Sequence, residues 1–205
     1  MPSAVQAVQA AKSALRKTVQ GKLALVSRDE KKIQSEKVLT KLFKLPAFVR
    51  SQRVSVYLST EDEISTEPII RRIFESRKAC YVPRYHKNQM EMVKLHSMED
   101  WETLPLTKWN IKQPRLAEQR ENALDTGGLD LVIVPGVAFT ADGDRMGHGK
   151  GYYDTFLRHL YDTQSKPPIT VALAFKEQVL NEVPLQEHDV KIDLILYIDR
   201  PENEP

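Results

Sequence analysis

Cysteine is almost missing from this chain. Cys80 stands alone, so no disulfide can close within it, and a reducing compartment is the expectation. No apolar run approaches the ~18 residues that a membrane span needs, and no secretory h-region follows Met1. Neither sign of charge dominates. The 30 Lys and Arg face 28 Asp and Glu, for a net charge of +2. With no basic stripe interleaved with aromatics, that balance argues against a nucleic-acid partner. None of the five histidines has zinc-ligand spacing, which argues against a structural zinc. Glycine is scarce as well. The chain holds eight, yet Gly143, Gly147, Gly149 and Gly151 fall together in one short stretch.

What is present reads as an ordinary globular protein of 205 residues, 41% hydrophobic and 28% charged, enough for one well-buried domain. The first 28 residues contain no acid but carry Lys12, Arg16, Lys17, Lys22 and Arg28. A mitochondrial presequence has that character. Val5, Val8, Leu15, Val19 and Leu23 also recur at helical spacing, and an amphipathic helix of the fold is the expectation.

Ser27 and Glu30 fit a capping box opening a second helix, about Arg28 to Leu45, closed by Pro46. RVSVYLS alternates like a strand, with Val54, Val56 and Leu58 on one face. Ser65, Thr66 and Pro68 open a helix over IIRRIFESR. ACYVP and MEMVKL read as strands, and SMEDWETL carries another Ser-to-acid cap. Residues 105–128, rich in Pro, Gly and charge, read as a long surface loop. LDLVIVPG, ITVALAF and IDLILYI are short apolar runs, the pattern of strands buried on both faces. YYDTFLRHLYD reads as a helix with Tyr153, Phe156, Leu157 and Leu160 on one side. The acidic tail PENEP reads as frayed. Strands alternating with helices predict an α/β fold with a mainly parallel sheet, in one domain: helices over about 3–45, an α/β core over about 52–199.

The glycine cluster lies in RMGHGKGYYD, between a buried strand and a helix. Ligands bind such folds at the carboxyl ends of strands. A helix N-terminus there offers free N–H groups and a positive dipole end, and glycines let the backbone approach a ligand closely. Lys150 and Arg145 supply charge for phosphate oxygens. The pattern is neither a Walker loop, since Gly151 follows Gly149-Lys150, nor a dinucleotide fingerprint, since Tyr152 takes the third glycine position. A long decorated turn is the alternative to phosphate binding. Asp154 is either a helix-start acid or a ligand for Mg²⁺, which favours one or two carboxylates plus waters and phosphates; Asp189 is a second candidate. Lys12 and Arg16, spaced i, i+4, share one helix face. Glu63 is a loop acid at a strand's carboxyl end, where function concentrates.

PGVAFTADGDRMGHGKGYYDTFL resembles the signature of the 5-formyltetrahydrofolate cyclo-ligase family. AKSALR, VYLSTEDEI, YVPRY, KWNIKQP, GGLDLVIVPG, LAFKEQ and EHDVKID resemble family segments in family order, covering about Ala10 to Tyr197. The resemblance implies a three-layer α/β/α fold like that of sugar-phosphate isomerases and CoA transferases. It implies conversion of 5-formyltetrahydrofolate to 5,10-methenyltetrahydrofolate with ATP and Mg²⁺, releasing ADP and phosphate. Nothing in the sequence demands more than a monomer, and a cytoplasmic location is the expectation; a mitochondrial form stays open. Lys150 and Arg145 would be catalytic. ATP would meet Lys12, Arg16, Arg145, Met146, Gly147, His148, Gly149, Lys150, Gly151, Tyr152 and Tyr153. Folate would meet Arg16, Leu58, Glu63, Tyr85, Trp109 and residues 148 to 153, with Met90 a further wall. Asp154 and Asp189 would hold the metal. His148 departs from the Arg or Tyr expected there, and its role stays open. Two other readings remain: a non-catalytic folate or nucleotide binder, and an ATP-independent isomerase-like enzyme on the same fold.

Overall fold

The computed structural model describes residues 3–87 and 89–199; the PENEP tail lies outside them. The chain begins with helix α1, Ala4–Leu25. Ser3 and Gln6 cap its start reciprocally, a box that satisfies two otherwise unpaired N–H groups. Lys12, Val19 and Leu23 form its buried face, so the acid-free segment is a docked helix of the fold. Ser27 accepts from the Glu30 N–H and starts α2, Arg28–Lys44. Pro46 does close α2, but it also occupies the first turn of a short helix, α3, Pro46–Arg50, where its missing N–H costs nothing.

Strand β1, Arg53–Val56, then enters the sheet, followed by α4, Glu67–Glu75, β2, Ala79–His86, and β3, Gln89–Leu95. Helix α5, Met98–Thr103, is capped by Ser97. After the long loop come β4, Leu131–Val134, β5, Ala138–Thr140, and β6, Arg145–Met146. Helix α6, Tyr152–Thr163, precedes β7, Ile169–Leu173, β8, Val179–Leu180, and β9, Leu194–Leu196.

Six strands form the main sheet in the order β3-β2-β1-β4-β7-β9. All neighbours are parallel except β2 and β3, which form an antiparallel hairpin. β1 and β4 lie at the centre, with Val54 opposite Leu131 and Val56 opposite Ile133. That position explains why β1 is buried on both faces, Ser55 included, where alternation alone predicts one. β9 has only β7 beside it and Leu194 is 38% exposed, so this run is an edge strand rather than a fully buried one. Residues 138–146 hold what sequence periodicity does not show: a hairpin of β5 and β6, joined by β8 into a small second sheet.

The loop over 105–128 hugs the body. Arg120 grips the Asp100 carboxylate with two bonds of 2.6 and 2.7 Å. Arg84 donates to the carbonyls of Arg115 and Glu118, and residues 123–126 form a 3-10 turn. Among the described residues no helix is long and apolar enough to cross a membrane.

The order of strands positions the site. From β1 the chain moves to β2 on one side, then returns to place β4 on the other. Loops leaving β1 and β4 therefore diverge at the carboxyl ends of the strands, the place where open α/β sheets bind ligands. The first of these loops contains Leu58 and Glu63. The second leads through the β5–β6 hairpin into the glycine segment.

Candidate functional site

Each clustered glycine has its own geometric reason. Gly143 turns the β5–β6 hairpin with φ +99°, and a Cβ there would lie 2.1 Å from the Ile192 carbonyl oxygen. Gly149, at φ +104°, and Gly151, at φ +69°, adopt the left-handed backbone that side chains disfavour. Gly147 has ordinary φ, but a Cβ on it would sit 2.8 Å from a guanidinium nitrogen of Arg145. Gly151 is the N-cap of α6 and provides no side-chain cap. The first N–H groups of that helix are thus left for another acceptor.

The structure brings the predicted cations to this loop. Arg16 reaches from α1 and donates Nε to the Gly147 carbonyl at 2.9 Å. Lys12, one turn earlier, binds Asp189 Oδ2 at 2.5 Å and Gln186 at 3.3 Å. Arg145 is 3% exposed; it donates to Asp154 Oδ1 at 2.7 Å and to the Pro135 carbonyl at 3.2 Å. Lys150 is exposed and makes no ion pair among the described residues. Met146 differs from expectation: its side chain is in the core and its carbonyl accepts from Val137, so it lies beneath the loop rather than facing a ligand.

Among the described residues only two buried side-chain polar atoms lack a hydrogen-bond partner, Arg145 Nε and the Tyr153 hydroxyl. Both belong to RMGHGKGYYD. Buried unpaired polar atoms are rare and costly, and these two lie in one segment.

Asp154 and Asp189 converge. Asp154 Oδ1 accepts from the Val190 N–H at 3.0 Å, the residue after Asp189. Asp189 Oδ2 accepts from the Gln186 N–H at 2.7 Å. A cavity of about 50 Å³ lies there, lined by Arg145, Gln186, Asp189 and Val190 among others. No group of three or more His, Cys, Asp or Glu side chains gathers as a metal cage among the described residues. The donor chemistry is of the kind Mg²⁺ takes, two carboxylates each with one oxygen already bonded and one left over; Asp189 lines the cavity and Asp154 lies outside its lining.

On the other side of the loop stand phenols and Glu63. Tyr85 and Tyr152 rings lie 5.0 Å apart, and the Tyr152 hydroxyl donates to the Lys87 carbonyl. Tyr85 is paired across the hairpin with Met90. Leu58 is buried. Glu63 Oε2 accepts from the Thr60 N–H and hydroxyl at 2.9 and 3.1 Å, while Oε1 faces His148 Nε2 at 3.5 Å. Burial, with the nearby Glu63 charge in support, holds the Tyr57 phenol well above its usual range. The same burial, then the Tyr85 phenol and Glu63, does this for Tyr153. The Tyr85 and Tyr153 hydroxyls shift each other both by charge and as near hydrogen-bond neighbours, although their contact falls short of full hydrogen-bond geometry. These phenols stay neutral donors at physiological pH.

Trp109 does not join them. It stands 69% exposed with the Lys108 ammonium 4.5 Å above its ring. Two residues missed by the sequence reading take part instead. Gln186 bonds both Lys12 and Asp189. Tyr57 ties the loop after β1 by donating to the Ile64 carbonyl; its place directly after a strand was the available signal.

Fold and site together define a mixed α/β protein whose glycine loop has cations and free helix N–H groups on one side, phenols and a carboxylate on the other. Residues 8–198 match the 5-formyltetrahydrofolate cyclo-ligase family, and the chain belongs to that family. The 5-formyltetrahydrofolate cyclo-ligase of Mus musculus is 45% identical over 196 residues, covering 95% of this chain and 97% of the mouse protein. The NMR structure of Aquifex aeolicus 5,10-methenyltetrahydrofolate synthetase superposes with a TM-score of 0.73 at 31% identity, covering 90% of this chain and 88% of that one. A 5,10-methenyltetrahydrofolate synthetase from Mycoplasma pneumoniae has the same fold, with a TM-score of 0.69 at 20% identity over 91% of this chain and 98% of that one.

Proposed function

We propose that the chain converts 5-formyltetrahydrofolate to 5,10-methenyltetrahydrofolate with ATP and Mg²⁺, releasing ADP and phosphate. The observation that carries this reading is the pair of orphaned buried atoms, Arg145 Nε and Tyr153 Oη, inside a glycine loop ringed by Lys12, Arg16 and Lys150 in a chain of the cyclo-ligase family.

The formyl oxygen attacks the γ-phosphorus, and the bond from that phosphorus to the ADP oxygen breaks. N10 then attacks the activated formyl carbon and loses its proton; the carbon–oxygen bond breaks and phosphate leaves. An amide oxygen is a weak nucleophile, so alignment and charge stabilisation carry the rate. Lys150, Lys12, Arg16 and the free N–H groups of α6 face the phosphates. Arg145, buried against Asp154, holds the floor beneath Gly147. Asp154 and Asp189 would hold Mg²⁺, which when bound would supply further neutralisation of phosphate charge. Glu63 accepts from pterin N–H groups, Tyr153 donates its unpaired hydroxyl to the folate, and Tyr85, Tyr152, Leu58 and Met90 wall the ring. Trp109 reaches the folate only if its loop folds inward.

We take the chain as one domain, because α1 contributes Lys12 and Arg16 to a site built on the core, and as a cytoplasmic monomer. The three-layer α/β/α arrangement of sugar-phosphate isomerases and CoA transferases is the fold kinship this sheet order supports best.

Mixing the purified protein with 5-formyltetrahydrofolate, ATP and Mg²⁺ should raise the near-ultraviolet absorbance of the methenyl product. Omitting ATP or adding EDTA should abolish it. Product formed without ATP would overturn the reading.

A further inference from the structure

Asp189 already holds a cation. Lys12 Nζ contacts its Oδ2 at 2.5 Å, with the two side chains only 8% and 11% exposed. The cation assigned to phosphate is thus engaged by the carboxylate assigned to the metal. At such burial charges interact strongly, and a dication on Asp189 would lie against an ammonium. Lys12 and a metal can share this corner only if an anion stands between them. A triphosphate is such an anion. Lys12 is also built to move, as a point charge on a flexible stem, whereas Arg145 is locked by Pro135 and Asp154.

We propose that Lys12 is a placeholder cation: it occupies Asp189 until metal and nucleotide arrive together, then passes from carboxylate to phosphate, so that metal binding requires nucleotide. This rests on the assignment of Asp189 as a metal ligand. Linkage is reciprocal, so nucleotide binding is equally coupled to metal.

The test is Mn²⁺ binding to the full chain by equilibrium dialysis, with the free ion followed by EPR, with and without a non-hydrolysable ATP analogue, each corrected for the Mn²⁺ that the analogue binds without protein. Wild type should bind Mn²⁺ weakly alone and tightly with the analogue. Lys12→Gln should bind Mn²⁺ alone about tenfold more tightly, yet lose most of the enhancement by nucleotide. Lys12→Arg, which keeps a cation on Asp189, should restore the wild-type pattern; the tighter Mn²⁺ binding of Lys12→Gln is what a merely structural role would not predict. If Lys12→Gln unfolds without metal, Mn²⁺ alone should refold it. Unchanged or weaker Mn²⁺ binding by Lys12→Gln, or no refolding, overturns the placeholder while wild type still binds Mn²⁺ with nucleotide. Wild type binding no Mn²⁺ under either condition, or Asp189→Asn binding as wild type does, would instead sink the metal assignment, and the placeholder with it.

Discussion

At Lys150 the glycine loop leaves an exposed ammonium with no ion-pair partner among the described residues, flanked by Gly149 and Gly151 in left-handed backbone. A cation that no protein group engages has little to do for stability and much to do for a phosphate. Lys150→Ala should therefore lower turnover by about 10²-fold or more with an unchanged melting temperature; unaltered turnover would remove Lys150 from the mechanism. Asp154 is the opposite case. Its carboxylate faces Arg145 with side chains 13% and 3% exposed, so Asp154→Asn leaves a buried guanidinium unpaired. The expected cost is about 3–5 kcal/mol of stability, seen in denaturant melts, together with a higher Mg²⁺ concentration for half-maximal rate. A magnesium titration like that of wild type would make Asp154 only the anchor of Arg145. Helix-start acid and metal ligand were both open from sequence; the Arg145 contact shows that a packing role exists whatever the metal does.

Elements differ in how well they can be read from residues. Helix α2 was legible because Ser27 caps it and Asp29 and Glu30 suit its dipole. Ser27→Ala should cost about 1 kcal/mol, and a urea midpoint equal to wild type would refute the cap. β4 was legible because four apolar residues in a row need burial on both faces. The β5–β6 hairpin was not, because strands of three and two residues carry no periodicity, and it was absorbed into the glycine loop. Helix α3 escaped for the same reason, with Pro46 read as a stop rather than also as a start. β9 reads as apolar as β4, yet its burial is set by having one neighbour rather than two, which no local pattern encodes. The site shows the same division. The loop's glycines and cations announced themselves in ten residues, while the pairing of Lys12 with Asp189, 177 positions apart, depends on α1 docking beside the late turn.

Across the whole molecule, the ionisable groups with displaced titrations sit on opposite faces of the argument about pH. The Lys94 and Tyr81 hydrogen bonds hold Glu121 down to about 2, and Arg120 holds Asp100 below its usual range. Both acids tether the 105–128 loop to the sheet and α5. A carboxylate depressed in the fold stabilises above its unfolded value, near 4.5 for Glu121, and that contribution is lost as pH falls toward 2. The phenols behave inversely. Tyr57, Tyr85 and Tyr153 are raised by burial, so the folded protein keeps protons that the unfolded chain releases above about pH 10. Their contribution is complete below that pH and shrinks as pH rises. Stability measured by urea melts should thus form a plateau with an acid limb from about pH 4.5 downward and an alkaline limb that opens near 9.0 with the Cys80 thiol, which burial also raises, and deepens above about 10 with the phenols. Glu121→Gln should weaken the acid limb most and, because the Glu121 carboxylate also raises the Tyr81 phenol, trim the alkaline limb slightly, whereas Tyr153→Phe should weaken the alkaline limb alone. A variant that moved both limbs equally would mean that the loop tether and the buried phenols unfold as one charge-coupled unit, and the separation of titrations drawn from their different partners would fail.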